Sequence, residues 1–282
     1  NEADSEMLPT GGYYDQVVPE GIAQIVTEND SLADIIASAE EGSVISLAPG
    51  VYDEAITLDE PITLKGTEGV EVGYIDIQAD HVTLDGLTFT TLGNPGNDVA
   101  PASVYIRGNK TDITIKNCKF VLEGDPYDAS GKGITAEAGV NNLTVDNNTF
   151  NENYETAVYL NGTGSNVVLS NNQVNTTGFG FRLEAAQGTS ITGNAFDIQA
   201  RWFTDHAALE FRTNGAGETN GDLIVRDNIF AGRSSIDFYN NQAAFGEEKL
   251  DLSQNYWGGG EPSSSQIPDL EKESIVFNSY YK

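Results

Sequence analysis

The sequence predicts an all-β, single-domain chain folded as a parallel β-solenoid with a short capping helix at its N-terminal end. Three observations point to this fold class: an eight-residue pattern occurs seven times, an alternating segment precedes each copy, and asparagine occupies one fixed place in five copies. Internal repeats of about 20 to 50 residues are typical of solenoids. Hydrophobic residues make up 39% of the 282 residues, which suffices for a continuous core.

The eight-residue pattern reads aliphatic, any, aliphatic, any, polar, small or Asn, any, and aromatic or aliphatic. Its last positions fall at residues 89, 120, 150, 174, 196, 230 and 257, so successive copies lie 22 to 34 residues apart. A constant unit joined by loops of varied length explains this spacing. The copies are Val82–Phe89, Ile113–Phe120, Leu143–Phe150, Val167–Val174, Thr189–Phe196, Leu223–Phe230 and Leu250–Trp257.

A second segment, with alternating apolar and polar residues, precedes every copy. Alternation with a period of two is typical of a β-strand, and strands this short cannot bury a face alone. We therefore expect two strands per repeat, each stacked on the next repeat. A leucine-rich repeat would place a helical or extended turn where these repeats have a second strand, and a left-handed six-residue helix would need a strict period. The segments are Ile75–Gln78, Val104–Arg107, Ile134–Glu137, Val158–Asn161, Phe181–Glu184, Leu209–Arg212 and Ile236–Tyr239.

The fixed asparagine predicts a ladder inside the solenoid. Asparagine tolerates the left-handed backbone of a tight turn, and its amide can bond both the backbone and the asparagine of the next repeat. Cys118 takes this place in an earlier copy, where we expect a buried structural thiol. The ladder residues are Asn148, Asn172, Asn194, Asn228 and Asn255.

The two ends of the chain differ from the repeats. Residues 1–30 are acidic and predict a tether followed by one extended segment, and residues 259–282 predict a closing segment. Between them we expect a capping helix over 31–42 and the β-helix over 43–258. Ser31 fits a helix N-cap, Leu32, Ile35, Ile36 and Ala39 share one helical face, and Gly42 would stop the helix.

Charge and composition exclude several classes of partner. The formal net charge of −29 disfavours nucleic acid and anionic membranes. No apolar run approaches the roughly 18 residues of a membrane helix, and the single cysteine excludes an internal disulfide. We find no signal peptide and expect a mature chain. Its acidic start resembles the tether after a bacterial lipoprotein cysteine, which predicts an extracellular or cell-surface location.

Two motifs carry a resemblance to a known family. The segment Val44–Tyr52 after the helix resembles the entry motif of the pectate-lyase-like right-handed parallel β-helix superfamily. Asn255-Tyr256-Trp257-Gly258 resembles the ending of many bacterial surface β-helix proteins. The resemblance implies right-handed winding and a substrate groove lined by the first strand of each repeat. The Gly-His-Gly and Trp-Ile-Asp-His motifs of the catalytic families are absent, and the two histidines are His81 and His206.

Alternation along those first strands sorts the outward side chains into two columns. Aromatic, carboxylate and guanidinium groups on one strip suit a sugar ring, and we expect the tyrosines to lie exposed on it. An idle, solvated sheet face with pairs such as Arg182 with Glu210 is the alternative. The first column is Asp76, Tyr105, Thr135, Tyr159, Arg182, Glu210 and Asp237, and the second is Gln78, Arg107, Glu137, Asn161, Glu184, Arg212 and Tyr239.

Candidate catalytic residues lie in the same columns. Glu210 and Asp237, one repeat apart at about 4.8 Å, could form a retaining pair of carboxyls. Glu137 and Glu184, about 10 Å apart, could form an inverting pair. For β-elimination, Arg182 or Arg212 would act as base or neutralise charge. No cofactor other than calcium is expected, and Glu184, Glu210 and Asp237 are its candidate ligands.

The loop that precedes Glu210 carries two further candidates. Trp202 could form a platform for a sugar or could plug its own loop, and His206 is the local group that titrates near neutral pH. A glycan-binding protein is the leading interpretation, with a neutral glycan favoured because a polyuronate would be repelled. A polysaccharide lyase or glycoside hydrolase and a non-binding stalk are the alternatives.

Overall fold

The computed structural model describes residues 24–96, 100–123, 131–198, 206–232, 234–238, 245, 249–267, 275–277 and 279–281. Most of the predicted tether, Trp202 and Tyr239 therefore lie outside the described residues. The described residues form three long parallel sheets that together wind into a β-helix. They contain no helix long and apolar enough to cross a membrane.

Each long sheet is a stack of short strands contributed by successive turns of the chain. The first sheet has nine strands: Gln24–Val26, Val44–Leu47, Thr63–Lys65, Thr83–Asp85, Thr111–Lys116, Asn141–Asp146, Val167–Ser170, Thr189–Thr192 and Ile224–Arg226. The second has ten: Gly50–Tyr52, Val70–Val72, Thr88–Phe89, Lys119–Phe120, Thr149–Phe150, Gln173–Val174, Ala195–Ile198, Ile229–Gly232, Asn255–Tyr256 and Tyr280–Tyr281. The third has eight: Ile56–Leu58, Ile75–Ile77, Ala102–Ile106, Lys132–Ala136, Thr156–Asn161, Phe179–Glu184, Ala207–Arg212 and Ile236–Phe238. Leu250–Asp251 and Ile275–Val276 form a separate pair.

Each repeat contributes three strands rather than the two expected. The eight-residue pattern turns a corner at its fifth position, where Asn117, Asn147 and Asn171 have φ angles of 56°, 53° and 54°. Left-handed backbone of this kind breaks the strand, so the last two residues of the pattern pair in a different sheet. The two residues after the corner are too few to show an alternation of their own, so the pattern predicted one strand where the chain has two.

The predicted asparagine ladder is confirmed. Asn194 is fully buried, its backbone N–H and Nδ2 both donate to Asn228 Oδ1 at 3.0 Å, and its Nδ2 also donates to Leu169 O at 2.8 Å. Asn172 repeats the arrangement one turn earlier and Asn148 two turns earlier. Cys118 is buried in the same place and donates its N–H to Asn148 Oδ1 at 2.8 Å. The left-handed residue, however, is the one before each ladder position.

Aliphatic side chains and a stack of aromatic rings fill the interior. Phe89, Phe120 and Phe150 stack with ring centroids 4.8 Å and 4.5 Å apart. Phe230 stacks on Trp257 with centroids 4.3 Å apart in a later part of the stack. These rings come from the last position of the eight-residue pattern, so the pattern sets the core of the second sheet.

One short helix, Leu32–Ser38, lies near the first turns. Ser31 is its N-cap, and the Ser31 side chain accepts the N–H of Asp34 at 3.2 Å. Leu32 and Ile36 are buried, as the helical face predicted. The helix ends before Gly42, because the chain becomes extended at Ala39.

Candidate functional site

The strand register brings the two predicted columns together on the outer face of the third sheet. In the first column, Tyr159 pairs with Arg182, Arg182 with Glu210, and Glu210 with Asp237. In the second column, Glu184 lies between Asn161 and Arg212. The alternate side chains point inward and are buried, so the sorting of faces is confirmed.

Most of the first column is buried, which the sequence analysis did not expect. Exposed fractions are 0% for Glu210, 2% for Tyr105, 3% for Thr135 and 9% for Arg182. The expectation that the tyrosines stand exposed is therefore wrong for Tyr105, while Tyr159 is half-buried. Neighbouring side chains contact this column, among them Arg107 over the Tyr105 ring and Arg212 on Glu210.

Diagonal hydrogen bonds join the two columns. Asp76 accepts from Arg107 through two bonds of 2.9 Å and 2.8 Å, on the next strand. The Tyr105 hydroxyl donates to Glu137 Oε1 at 2.5 Å, also one strand on. In each case a buried residue of the first column fixes a half-exposed residue of the second.

The same rule recurs further along the sheet. The Tyr159 hydroxyl donates to Glu184 Oε2 at 2.5 Å, again one strand on. Glu137 is held a second time, because the backbone N–H of Gly108 donates to its other oxygen at 2.8 Å. The two carboxylates therefore share one mode of support, two strands apart.

Glu210 lies between two guanidinium groups. Its Oε2 accepts from Arg182 Nε at 2.5 Å and from Arg212 Nε at 2.6 Å, and its Oε1 accepts from Arg212 Nη2 at 3.0 Å. Arg182 also stacks over the Phe179 ring at 3.9 Å and reaches Glu155 at 3.5 Å. Glu210 is fully buried and cannot touch a substrate in this conformation.

The phenols of this face stay protonated far above neutral pH. Burial, followed by the hydrogen bonds to Glu137 and Glu184, raises the pKa of Tyr105 and of Tyr159 well above the usual value of 10.0. Burial also raises the pKa of Tyr74 to about 12. Tyr105 and Tyr159 thus act as fixed hydrogen-bond donors.

The second column carries the side chains that reach solvent. The half-buried residues of this column lie at the ends of five consecutive strands or directly after them: Arg107, Glu137, Asn161, Glu184 and Arg212. Adjacent strands are about 4.8 Å apart, so these groups form a straight row with regular spacing. Fixed donors and acceptors in such a row can hydrogen-bond the hydroxyls of one extended ligand.

The three candidate calcium ligands do not assemble into a site. No group of three or more His, Cys, Asp or Glu that could hold a metal ion occurs among the described residues. Glu184 and Glu210 belong to different columns, and the two arginines on Glu210 would repel a cation. Glu184, Glu210 and Asp237 therefore do not form the predicted group of calcium ligands. Glu210 and Asp237 are neighbours, as predicted.

Of the loop candidates, only His206 can be placed. It directly precedes the strand Ala207–Arg212, and its backbone oxygen accepts from Ser235 Oγ at 3.1 Å. Its Nδ1 is buried and has no hydrogen-bond partner within the part of the chain that the structure describes. Trp202 and Tyr239 lie outside the described residues, so their roles stay predictions.

Sequence reasoning missed Lys132. It is 7% exposed, and its Nζ lies 5.2 Å from the centre of the Tyr159 ring. Burial lowers the pKa of its ammonium group, against the attraction of Glu155. The columns were read from alternating segments such as Ile134–Glu137, and Lys132 lies before that segment, so the alternation could not assign it to a face.

Comparison with known families supports the architecture. Residues 68–243 match the family model described as the right-handed beta helix region. The chain belongs to this right-handed β-helix family. Right-handed winding, which the resemblance implied, is thereby confirmed. A comparison with curated proteins found no match.

Among solved structures, this right-handed β-helix is similar to a mutant of AlyGC, a PL6-family alginate lyase. The two share 12% sequence identity, and the match has a TM-score of 0.38. It covers 92% of this chain and 49% of the lyase, so the chain spans about half the length of that relative. At this level of likeness the lyase lends no argument about activity.

Proposed function

We propose that this right-handed β-helix protein binds a neutral glycan along the second column of its third sheet, and that it does so in the extracellular medium or at the cell surface. The observation that carries the proposal is the row Arg107, Glu137, Asn161, Glu184 and Arg212. Four of these five side chains are held by a partner in the first column, and three of those partners are buried. These side chains are already held in place, so binding a glycan to them costs less side-chain entropy than binding it to mobile side chains.

Charge supports the choice of a neutral ligand. The chain has a net charge of −29, and Glu137 and Glu184 stand in the middle of the row. A polyuronate would meet like charges there, whereas sugar hydroxyls can donate to carboxylates and accept from arginines. Glycan polymers outside the cell are the ligands that an extended row of this kind fits.

Binding also fits this face better than acid catalysis by Glu210 does. A general acid must hold a proton and touch the leaving group. Glu210 is buried, and both of its oxygens accept hydrogen bonds from arginine. Its role in this proposal is to hold Arg182 and Arg212 in place.

The proposal is tested by a glycan array probed with the purified chain, with and without calcium, followed by calorimetry on each hit. We expect binding of neutral glycans that does not need calcium. Glu184→Gln should weaken it about tenfold, because a hydrogen bond to a charged group is replaced by a neutral one.

A matched control and an activity assay complete the test. Glu71→Gln removes an exposed carboxylate on the second sheet and should leave affinity unchanged. Release of reducing or unsaturated ends from any polysaccharide, lost in Glu184→Gln, would support the enzyme instead. Failure of every glycan to bind would contradict the proposal.

A further inference from the structure

The exposed row has a symmetric order of charges. Along five consecutive strands it reads Arg107, Glu137, Asn161, Glu184 and Arg212. The carboxylates lie two strands apart, about 10 Å, and the arginines four strands apart, about 19 Å. Asn161, a neutral amide, stands at the centre.

The two carboxylates share one hydrogen-bond arrangement with a tyrosine. Each accepts a hydrogen bond of 2.5 Å from a tyrosine of the first column, one strand earlier. Between the two pairs, Thr135 occupies the tyrosine position, and its hydroxyl finds no hydrogen-bond partner among the described residues. The acceptor site therefore recurs at every second strand and not at every strand.

We propose that the ligand of this row is an extended neutral polysaccharide with the two-fold repeat of cellulose or mannan, lying across the strands and parallel to the solenoid axis. This inference rests on the proposed glycan-binding function. In such a chain alternate sugars turn the same edge to one side, so equivalent hydroxyls recur at every second sugar. Glu137 and Glu184 accept from those equivalent hydroxyls, and the sugar between them faces Asn161.

The charged part of the second column limits the length that is recognised, because Gln78, the residue before Arg107 in that column, is neutral. Arg107 and Arg212 donate to hydroxyl or ring oxygens at either end, about four strand spacings apart. A coiled glucan cannot keep the same edge against a straight row over that distance. An oligogalacturonate could, but its carboxylates would face Glu137 and Glu184.

Tyr105 and Tyr159 are positioning residues in this arrangement. Each donates a hydrogen bond from its phenol hydroxyl to one carboxylate oxygen. This bond fixes the orientation of the carboxylate and of its remaining lone pairs. Tyr105 is 2% exposed and acts on the ligand only through Glu137.

Calorimetry with cello-oligosaccharides, manno-oligosaccharides, laminari-oligosaccharides and oligogalacturonates of two to six sugars tests the inference. We expect the cello or manno series to bind best, with affinity rising up to about four sugars and then levelling. Glu137→Gln and Glu184→Gln should each weaken the tetramer about tenfold. Glu71→Gln is the control that should change nothing.

The outcomes separate this inference from the function beneath it. Binding of laminari-oligosaccharides or oligogalacturonates as tightly as the best neutral chain would keep glycan binding and overturn the two-fold ligand. Affinity that is equal for dimers and tetramers would overturn it too. Binding of no glycan would contradict the proposed function itself.

A spectroscopic measurement tests the positioning role without any ligand. The Glu137 carboxylate helps to raise the pKa of Tyr105, so Glu137→Gln should lower that pKa. In an ultraviolet titration one tyrosine should then ionise earlier than in the parent chain, while Glu71→Gln leaves the curve unchanged. A titration curve of Glu137→Gln identical to that of the parent would overturn the positioning role.

Discussion

At the scale of single residues, this protein keeps polar side chains buried by giving each of them a fixed set of hydrogen bonds. Asn194 accepts two hydrogen bonds from Asn172 and donates to Asn228 and to Leu169 O. Glu210 is surrounded in a similar way by arginines. A buried polar group without its partners costs about 1–3 kcal/mol, so single substitutions at such places are informative.

Asn194→Leu should lower the free energy of unfolding by about 1–3 kcal/mol, because Asn172 loses its acceptor and the carbonyl of Leu169 loses a donor. Chemical denaturation measures the loss. Asn175→Leu is the matched control, because Asn175 is exposed directly after the strand Gln173–Val174 and its substitution should change stability little. Equal stability of the two variants would disprove the structural role of the ladder.

Glu210→Ala should cost about 3–5 kcal/mol, since it leaves two guanidinium groups without their shared carboxylate in a buried place. The double variant with Arg182→Met should recover part of the loss, because one of the uncompensated charges is then removed. Glu71→Gln, a surface substitution, is the control. If Glu210→Ala lowers the free energy of unfolding no more than Glu71→Gln does, Glu210 does not hold this face together.

At the scale of strands, backbone spacing restricts which residues the third sheet accepts. A Cβ on Gly133 would lie 2.6 Å from Ala157 O and 2.7 Å from a Phe150 ring carbon. A Cβ on Gly180 would lie 2.5 Å from Ala208 O and 2.9 Å from the Phe196 ring. Both glycines therefore let a strand approach its neighbour and the aromatic stack.

Gly133→Ala should destabilise the fold by about 1–3 kcal/mol, the usual cost of overpacking. Gly215→Ala provides the control, because nothing lies within 4 Å of a Cβ placed there. Thermal unfolding of both variants measures the difference. If Gly133→Ala does not change the stability, the sheet can shift at this point and the prediction is wrong.

At the scale of the whole molecule, buried tyrosines make stability depend on alkaline pH. The pKa of Tyr105, Tyr154 and Tyr159 is raised, and that of Tyr74 is raised to about 12, in each case chiefly by burial. The folded state therefore keeps phenol protons that the unfolded chain releases near pH 10. This contribution is complete below that pH and is lost as the pH rises through the folded values.

The free energy of unfolding should thus fall progressively above pH 10, with tyrosine ionisation and unfolding coinciding in an absorbance titration. Tyr105→Phe should make the decline less steep, because one linked proton is removed. A substitution at an exposed position, Glu71→Gln, should leave the slope unchanged. Normal ionisation of all tyrosines in the folded chain would contradict this linkage.

The two-residue alternation and the repeated pattern were sufficient to predict the solenoid, the inward residues and the ladder of Asn148 to Asn255. They were also sufficient to align Arg182 with Glu210 and Glu184 with Arg212, because register in a stack of short strands follows from which face is apolar. These features depend on neighbours along the chain and one repeat away. A periodic sequence pattern shows which residues are neighbours along the chain and which lie one repeat apart.

Burial on the outer face depended on the tertiary structure. Alternation states that Tyr105 and Glu210 point outward, but whether an outward residue is covered depends on connecting segments and on the reach of side chains from other strands. The diagonal bond from Tyr105 to Glu137 and the sharing of Glu210 by Arg182 and Arg212 arise from side-chain length and rotamer, which no period encodes. The sequence by itself therefore determined which residues share a face, and only the folded chain decided which of them a ligand can reach, because coverage is set by contacts between distant segments.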